Sequence, residues 1–204
     1  RLRCRAPVSG AGVGCEWDAG EMTPTASSVA LLRGINVGGK NLIGMPALAE
    51  AFTEAGYQDV RTHLQSGNVL FTGHPATGAG VEDALERMLR ERFELPILVV
   101  VRSHGELAAT VAAAPADHGS DQLRSDVFFV KQPLTAEAAY AELPELREGV
   151  DAVALGPGAI YFSRVAARAT KTRIQRFMAM PVFQQITSRS WRTTTRLLEL
   201  LDGD

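Results

Sequence analysis

Two successive runs of strand, helix, strand, strand, helix, strand predict an α+β protein: two ferredoxin-like (βαββαβ, α-β plait) halves packed together, with an extra C-terminal helix. Three observations carry this expectation. Short apolar segments read as strands, and the stretches between them place apolar residues at helical spacing. Within each half a turn signal, Ser66-Gly67-Asn68 and then Gly156-Pro157-Gly158, separates two strand-like runs. The order of elements matches between the halves, although no residue-level repeat is visible.

Val29 to Arg33 is the first expected strand, apolar on both faces. Met45, Leu48, Phe52 and Ala55 then recur at helical spacing, with Pro46 in the first turn and Gly56 closing the end. Val60, Thr62 and Leu64 alternate with Arg61, His63 and Gln65 before the turn that leads into Val69 to Phe71. Val81, Leu85, Met88, Leu89 and Phe93 mark a second helix, and Pro96 opens the apolar run Ile97 to Val101. In the second half, Leu107 to Ala114 reads as a connecting helix, Val127 to Val130 as a strand and Thr135 to Leu143 as a helix. Val150 to Leu155 and Ile160 to Ser163 flank the next turn; Ile174, Phe177 and Met178 suggest another helix. A short strand at Ile186 to Ser188 and a helix at Trp191 to Leu201 complete the chain.

The halves are expected at 28–102 and 103–204. Residues 1–27 are rich in Arg, Gly and Ala without the apolar core of a secretory signal, and are read as an extension outside the fold, with Met22 the natural start. Val29 to Leu32 and Ile97 to Val101 are continuous rather than alternating, which requires cover on both faces of their sheet. The halves are therefore expected to pack on each other and to leave a groove between them, where small-molecule sites form readily.

At 204 residues, 46% hydrophobic and with a net charge of −2, the chain has the composition of a globular protein without overall nucleic-acid bias. No apolar run is long enough to span a bilayer, so no membrane partner and a cytoplasmic location are expected. The charge is segregated. Tyr161 to Arg196 carries Arg164, Arg168, Lys171, Arg173, Arg176, Arg189, Arg192 and Arg196 with no acid, whereas Ser103 to Ile160 is strongly acidic. Cys4 and Cys15 both lie in the extension and indicate neither a disulfide framework nor a metal site.

The stretch Leu31 to Asn41 reads Leu-Leu-Arg-Gly-Ile-Asn-Val-Gly-Gly-Lys-Asn. Glycine admits positive φ and close approach to a ligand, asparagine tolerates the left-handed region, and Arg and Lys supply charge for an anion. Gly34 to Asn41 falls one residue short of a nucleotide-binding phosphate loop. Asn41 replaces the hydroxyl residue that ligates magnesium, and no later strand ends in the acid that would hold the metal. The remaining constellation is one for binding: Arg33, Asn36, Gly38, Gly39, Lys40 and Asn41, with Gln65, Ser66 and Asn68 from the neighbouring hairpin. Arg189 and Trp191 join it, the latter as a stacking platform or a core anchor. His63, His74, His104 and His118 are dispersed and read as packed or solvated, and Ser66 as a turn residue. Neither a reaction nor a cofactor is specified.

Ala30 to Asn41, Met45 and Leu48, Gln65-Ser66-Gly67-Asn68-Val69, and Thr187 to Leu197 together resemble the bacterial domain-of-unknown-function family 1697 (DUF 1697), over essentially the whole chain after Ser28. The resemblance implies two ferredoxin-like halves and brings no established activity. Where that family usually has Arg-Asn-Trp, this chain has Arg189-Ser190-Trp191; Asn and Ser both cap helices, so the change keeps a cap and leaves no amide there for a ligand. The functional expectation is a protein that binds a small anionic ligand, phosphorylated or nucleotide-like, in the interdomain groove. The alternatives are a nucleic-acid-binding module or a ligand-free interaction scaffold. RNA-recognition sheets stack bases on exposed aromatics, which Val29 to Arg33 lacks.

Overall fold

The computed structural model describes residues 26–73 and 77–203. Cys4, Cys15, Met22, His74 and nearly all of the expected extension lie outside them. The first sheet is formed by β1 (Ala26–Leu32), β2 (Gln58–His63), β3 (Asn68–Gly73) and β4 (Val99–Ser103), all antiparallel in the order β2-β3-β1-β4. Helices α1 (Met45–Glu54) and α2 (Ala79–Phe93) connect its strands. After α3 (His104–Ala112) comes a second antiparallel sheet of β5 (Leu123–Val130), β6 (Asp151–Gly156), β7 (Ala159–Val165) and β8 (Ile186–Ser190), in the order β6-β7-β5-β8. Its connections are α4 (Ala136–Ala141) and, between β7 and β8, α5 (Ile174–Met178) flanked by short 3-10 helices at Ala166–Lys171 and Pro181–Gln185. The chain closes with α6 (Trp191–Asp202).

Several boundaries differ from the sequence expectation. β1 begins at Ala26, inside the stretch assigned to the extension, because Ala26, Ser27 and Ser28 pair with Gly73, Thr72 and Phe71. Backbone pairing of this kind leaves no mark in a hydrophobic pattern. Arg33 falls beyond β1, and β4 starts at Val99 rather than Ile97, its register set by Leu32 opposite Val99 and Ser28 opposite Ser103. α3 starts at His104 instead of Leu107 because Ser103 and Glu106 form a reciprocal capping box that satisfies two end amides.

The continuous apolar strands have the expected cause. Val29 to Leu32 are all fully buried, since β1 is central and both its faces are covered. Ala30 and Leu32 pack with Phe52, Phe71, Leu85 and Leu89 beneath α1 and α2. Val29 and Leu31 share another core with Leu70, Val100, Val127, Phe129 and Tyr161 of both sheets, Leu107 of α3 and Leu197 of α6. A third core lies under α4 and α5, where the Phe128 and Phe162 rings stack at 5.7 Å beside Phe177 and Phe183.

The sheets are tied by two buried arginines. Arg189 on β8 donates to Asn68 Oδ1, to Leu32 O at 2.8 Å, to Ser66 O at 3.3 Å and to Gly67 O at 3.0 Å, all in the first sheet's strand ends and turn. Arg102 on β4 reaches the other way, to Val130 O at 2.6 Å and Gly158 O at 2.9 Å. Each arginine is the penultimate residue of its strand, and each is followed by a serine that caps the next helix. Leu32 N donates to Gly67 O and Val130 N to Gly158 O, so both arginines grip the same kind of strand-and-turn junction.

Arg189→Leu would take the arginine donors from Leu32 O and from the buried Asn68 Oδ1, and one of the two donors from Gly67 O. It is expected to destabilise the protein by about 3 to 4 kcal/mol, several times the usual worth of one neutral hydrogen bond, as read from urea unfolding.

Candidate functional site

The glycine loop between β1 and α1 is bonded chiefly to itself. Asn36 accepts from Ile43 N at 2.8 Å and donates to Ile43 O and Gln65 O, both at 2.9 Å. Asn36 N donates to Asn41 O, and the Asn41 amide donates to Gly34 O at 3.1 Å. At the tip Lys40 N donates to Val37 O, with φ of +60° at Gly38 and +73° at Gly39. Positive φ at both central residues is the signature of a type I′ hairpin turn, which Gly-Gly suits. A Cβ on either glycine would meet nothing within 4 Å, so their requirement is conformational rather than one of space. The tip is exposed and carries Val37 and Leu42, with Leu64 exposed on the adjoining turn.

The other expected site residues are gathered at the foot of this loop, bonded to protein. Arg33 donates to Phe183 O across the sheets and its guanidinium lies 5.2 Å over the Phe183 ring, and burial lowers its pKa. Arg189 is 7% exposed, and burial brings its pKa down to about 10. Besides its contacts to the first sheet it donates to Thr187 Oγ1 and Ser188 O. Asn68 is fully buried and donates to His63 O and Ser66 Oγ while accepting from Arg189. Gly38, Gly39 and Lys40 are exposed at the turn, and Lys40 makes no ion pair among the described residues. Trp191 stands elsewhere, its ring 4.8 Å from His118 and against Gly119, where a Cβ would come within 2.0 Å of it. It serves as a core anchor. Ser190 caps α6 by accepting from Thr193 N.

Among the described residues no group of three His, Cys, Asp or Glu has the arrangement of a metal site, and no helix is long and apolar enough to cross a membrane. His118 is buried, with Nδ1 at 2.9 Å from Ser163 Oγ, which is 3.1 Å from Ser125 Oγ. Its Nε2 is buried without a partner, and burial lowers its pKa against a weaker opposing effect of Asp117.

A cation-lined cavity of about 350 Å³ opens on the helix-covered side of the second sheet, lined in part by Arg124, Asp126, Arg164, Thr170, Thr172 and Ser188. Arg164 lies 3.6 Å from Asp126 and 5.6 Å from the Phe162 ring centroid. Burial raises the Asp126 pKa, with Arg164 opposing. The acid-free run from Tyr161 to Arg196 supplies Arg164, Thr170, Thr172 and Ser188 to this cavity, and Arg124 and Asp126 come from β5.

The fold is thus a mixed α+β one of two four-stranded antiparallel sheets with helices. The chain belongs to the family described as protein of unknown function DUF1697, whose pattern matches residues 26–161. Thr187 to Leu197 lie beyond that match. A solved structure of similar fold is that of the conserved bacterial protein SP0830 from Streptococcus pneumoniae. It has a TM-score of 0.77 and 24% identity, over 87% of this chain and 99% of that one. No curated protein matches the chain.

Two outcomes follow from this geometry. Gly39→Ala should destabilise by about 1 to 2 kcal/mol through its positive φ, and Lys40→Ala by at most about 0.5 kcal/mol, both read from thermal unfolding. For His118 the folded pKa lies below the ordinary imidazole value of about 6.5, so under acid conditions the unfolded chain binds a proton that the folded one resists. Its contribution is fully present above about pH 6.5 and is lost as pH falls toward the depressed value, and His63, also lowered by burial, acts in the same direction. Urea midpoints should fall from about pH 7 to about pH 5, and His118→Asn should reduce that slope.

Proposed function

We propose that this protein binds a small anionic ligand in the cavity lined by Arg124 and Arg164, on a frame of two ferredoxin-like halves, 28–102 and 103–204, related by duplication. The duplication is supported by the shared strand order of the two sheets and by the matched arginine-serine pairs, Arg102-Ser103 and Arg189-Ser190. The observation that carries the ligand reading is a surplus of positive charge around a cavity of ligand size: two guanidiniums face one carboxylate there, and Arg124 makes no ion pair among the described residues. Lys171, Arg173 and Arg176 belong to the same covering segment, although their side chains do not line the cavity.

Guanidinium forks suit phosphate and carboxylate oxygens, and Thr170, Thr172 and Ser188 offer hydroxyl donors. Asp126, partly desolvated, favours a ligand that also carries hydroxyl donors, so a phosphorylated polyol fits better than inorganic phosphate. The anion class read from the sequence is retained, but its place moves from the glycine loop, whose Arg33 and Arg189 are engaged by carbonyls. Nucleic acid is disfavoured, because the sheet faces holding Val29, Leu31, Val127 and Phe129 are buried between the sheets and offer bases no platform.

Thermal melting with sugar phosphates, nucleoside monophosphates and the corresponding unphosphorylated sugars tests the reading. A phosphorylated compound should raise Tm where its parent sugar does not. Arg124→Ala, an exposed change, should keep the fold and weaken binding by about 1.5 to 3 kcal/mol in calorimetry. Equal affinity in wild type and Arg124→Ala would sink the assignment.

A further inference from the structure

The two arginine-gripped junctions are alike in hydrogen bonding and unlike in filling. At the first, Ile35 from the glycine loop is fully buried, and a Cβ on Gly67 would come within 2.8 Å of the Ile35 and Leu32 side chains. At the second, Gly158 accepts the amide of Val130 and a donor from Arg102, as Gly67 does from Leu32 and Arg189. Yet a Cβ on Gly158 would meet nothing nearer than the Arg102 guanidinium at 3.5 Å. After β5 the chain passes through the short link Lys131-Gln132-Pro133-Leu134 to the Thr135 cap of α4, with no counterpart of the long loop that carries Ile35. A cavity of about 580 Å³ remains there, between α3, the end of β5, the start of α4 and the Pro157-Gly158 turn.

Its walls are largely apolar, with Ala109, Val130, Pro133, Leu134 and Pro157 among the lining residues. The charge of Arg102 is already answered: Glu82, 1% exposed, lies 3.6 Å from it, and Val101 O, Val130 O and Gly158 O accept its protons. Two other carboxylates border the cavity: Glu106 on α3, whose charge acts on Arg102 from beyond ion-pair distance, and Glu137 on α4, and neither makes an ion pair among the described residues. The capping box holds Glu106 in place through Oε2, which accepts from Ser103 N and Oγ. We propose that this cavity is a second ligand site, and that it takes an organic cation with an apolar body, such as an aliphatic amine. The alkyl part replaces the missing Ile35-like plug against Leu134 and Ala109, and the ammonium pairs with Glu106 and Glu137. An anion is rejected by the same carboxylates, so the site differs in sign from the Arg124 cavity and stands independently of it.

Calorimetry on the full chain with hexylamine, 1,6-diaminohexane, hexanol and hexanoate tests the proposal. The amines should bind and raise Tm, hexanol more weakly, and hexanoate not at all. Glu137→Gln, on an exposed residue, and Glu106→Gln, which preserves the capping box, should each weaken hexylamine roughly tenfold or more. Ala109→Phe should abolish binding by filling the cavity, and Arg124→Ala should leave it unchanged. The proposal is overturned if no amine binds, if hexanoate binds as well as hexylamine, or if affinity is the same in wild type and Glu137→Gln.

Discussion

The structure depends on a reciprocal grip in which each sheet sends one buried arginine into the strand-and-turn junction of the other. Lysine would not serve, since its single ammonium lacks the planar fork that reaches carbonyls on a strand end and a turn together. The two arginines balance desolvation differently. Arg102 has Glu82, whose Oε1 also accepts Val101 N and whose Oε2 accepts Gln132 N, so a carboxylate and a guanidinium are buried as a hydrogen-bonded group. Arg189 has neutral acceptors alone among the described residues, and its lowered pKa expresses that environment. Six donated bonds spread the cost over carbonyl, amide and hydroxyl dipoles.

That grip gives the glycine loop its meaning. Asn36 ties it to the β2–β3 turn through Gln65 O, Ile35 fills the space over Gly67, and Arg33 reaches across to Phe183 O. Local bonding by asparagine and positive φ at glycine build a rigid brace with an exposed tip, so the residue types that suggested a ligand cradle answer a structural demand first. In the second sheet the shorter link after β5 leaves the corresponding space open. The difference between a braced junction and a cavity thus comes from loop length on a common frame.

Charge is segregated in space as in sequence. The cavity beside Arg124 and Arg164 is walled by β5 and by the acid-free run from Tyr161 to Arg196, whereas Glu106 and Glu137 of the other come from the acidic stretch before that run. The two concavities differ in the balance of charges that line them, a difference that a net charge of −2 conceals.

The sequence by itself determined the order of elements, because periodicity of apolar residues reports directly on which face of a helix or strand is buried. It also determined that both faces of central β1 and edge β4 are covered: Val29 to Leu32 and Val99 to Val101 have no polar alternation to spare for solvent. The hairpin turn at Ser66-Gly67-Asn68 and the Ser190 cap were equally local and equally readable. The tertiary structure alone decided where the cations go. Arg33, Arg102, Arg189, Arg124 and Arg164 are identical in the sequence, yet the first three are engaged by carbonyls of distant segments, whereas Arg124 and Arg164 border the cavity beside Asp126. Burial, partners and empty space depend on contacts between residues far apart in the chain, from Arg102 with Val130 to Arg189 with Leu32, and no local pattern encodes them.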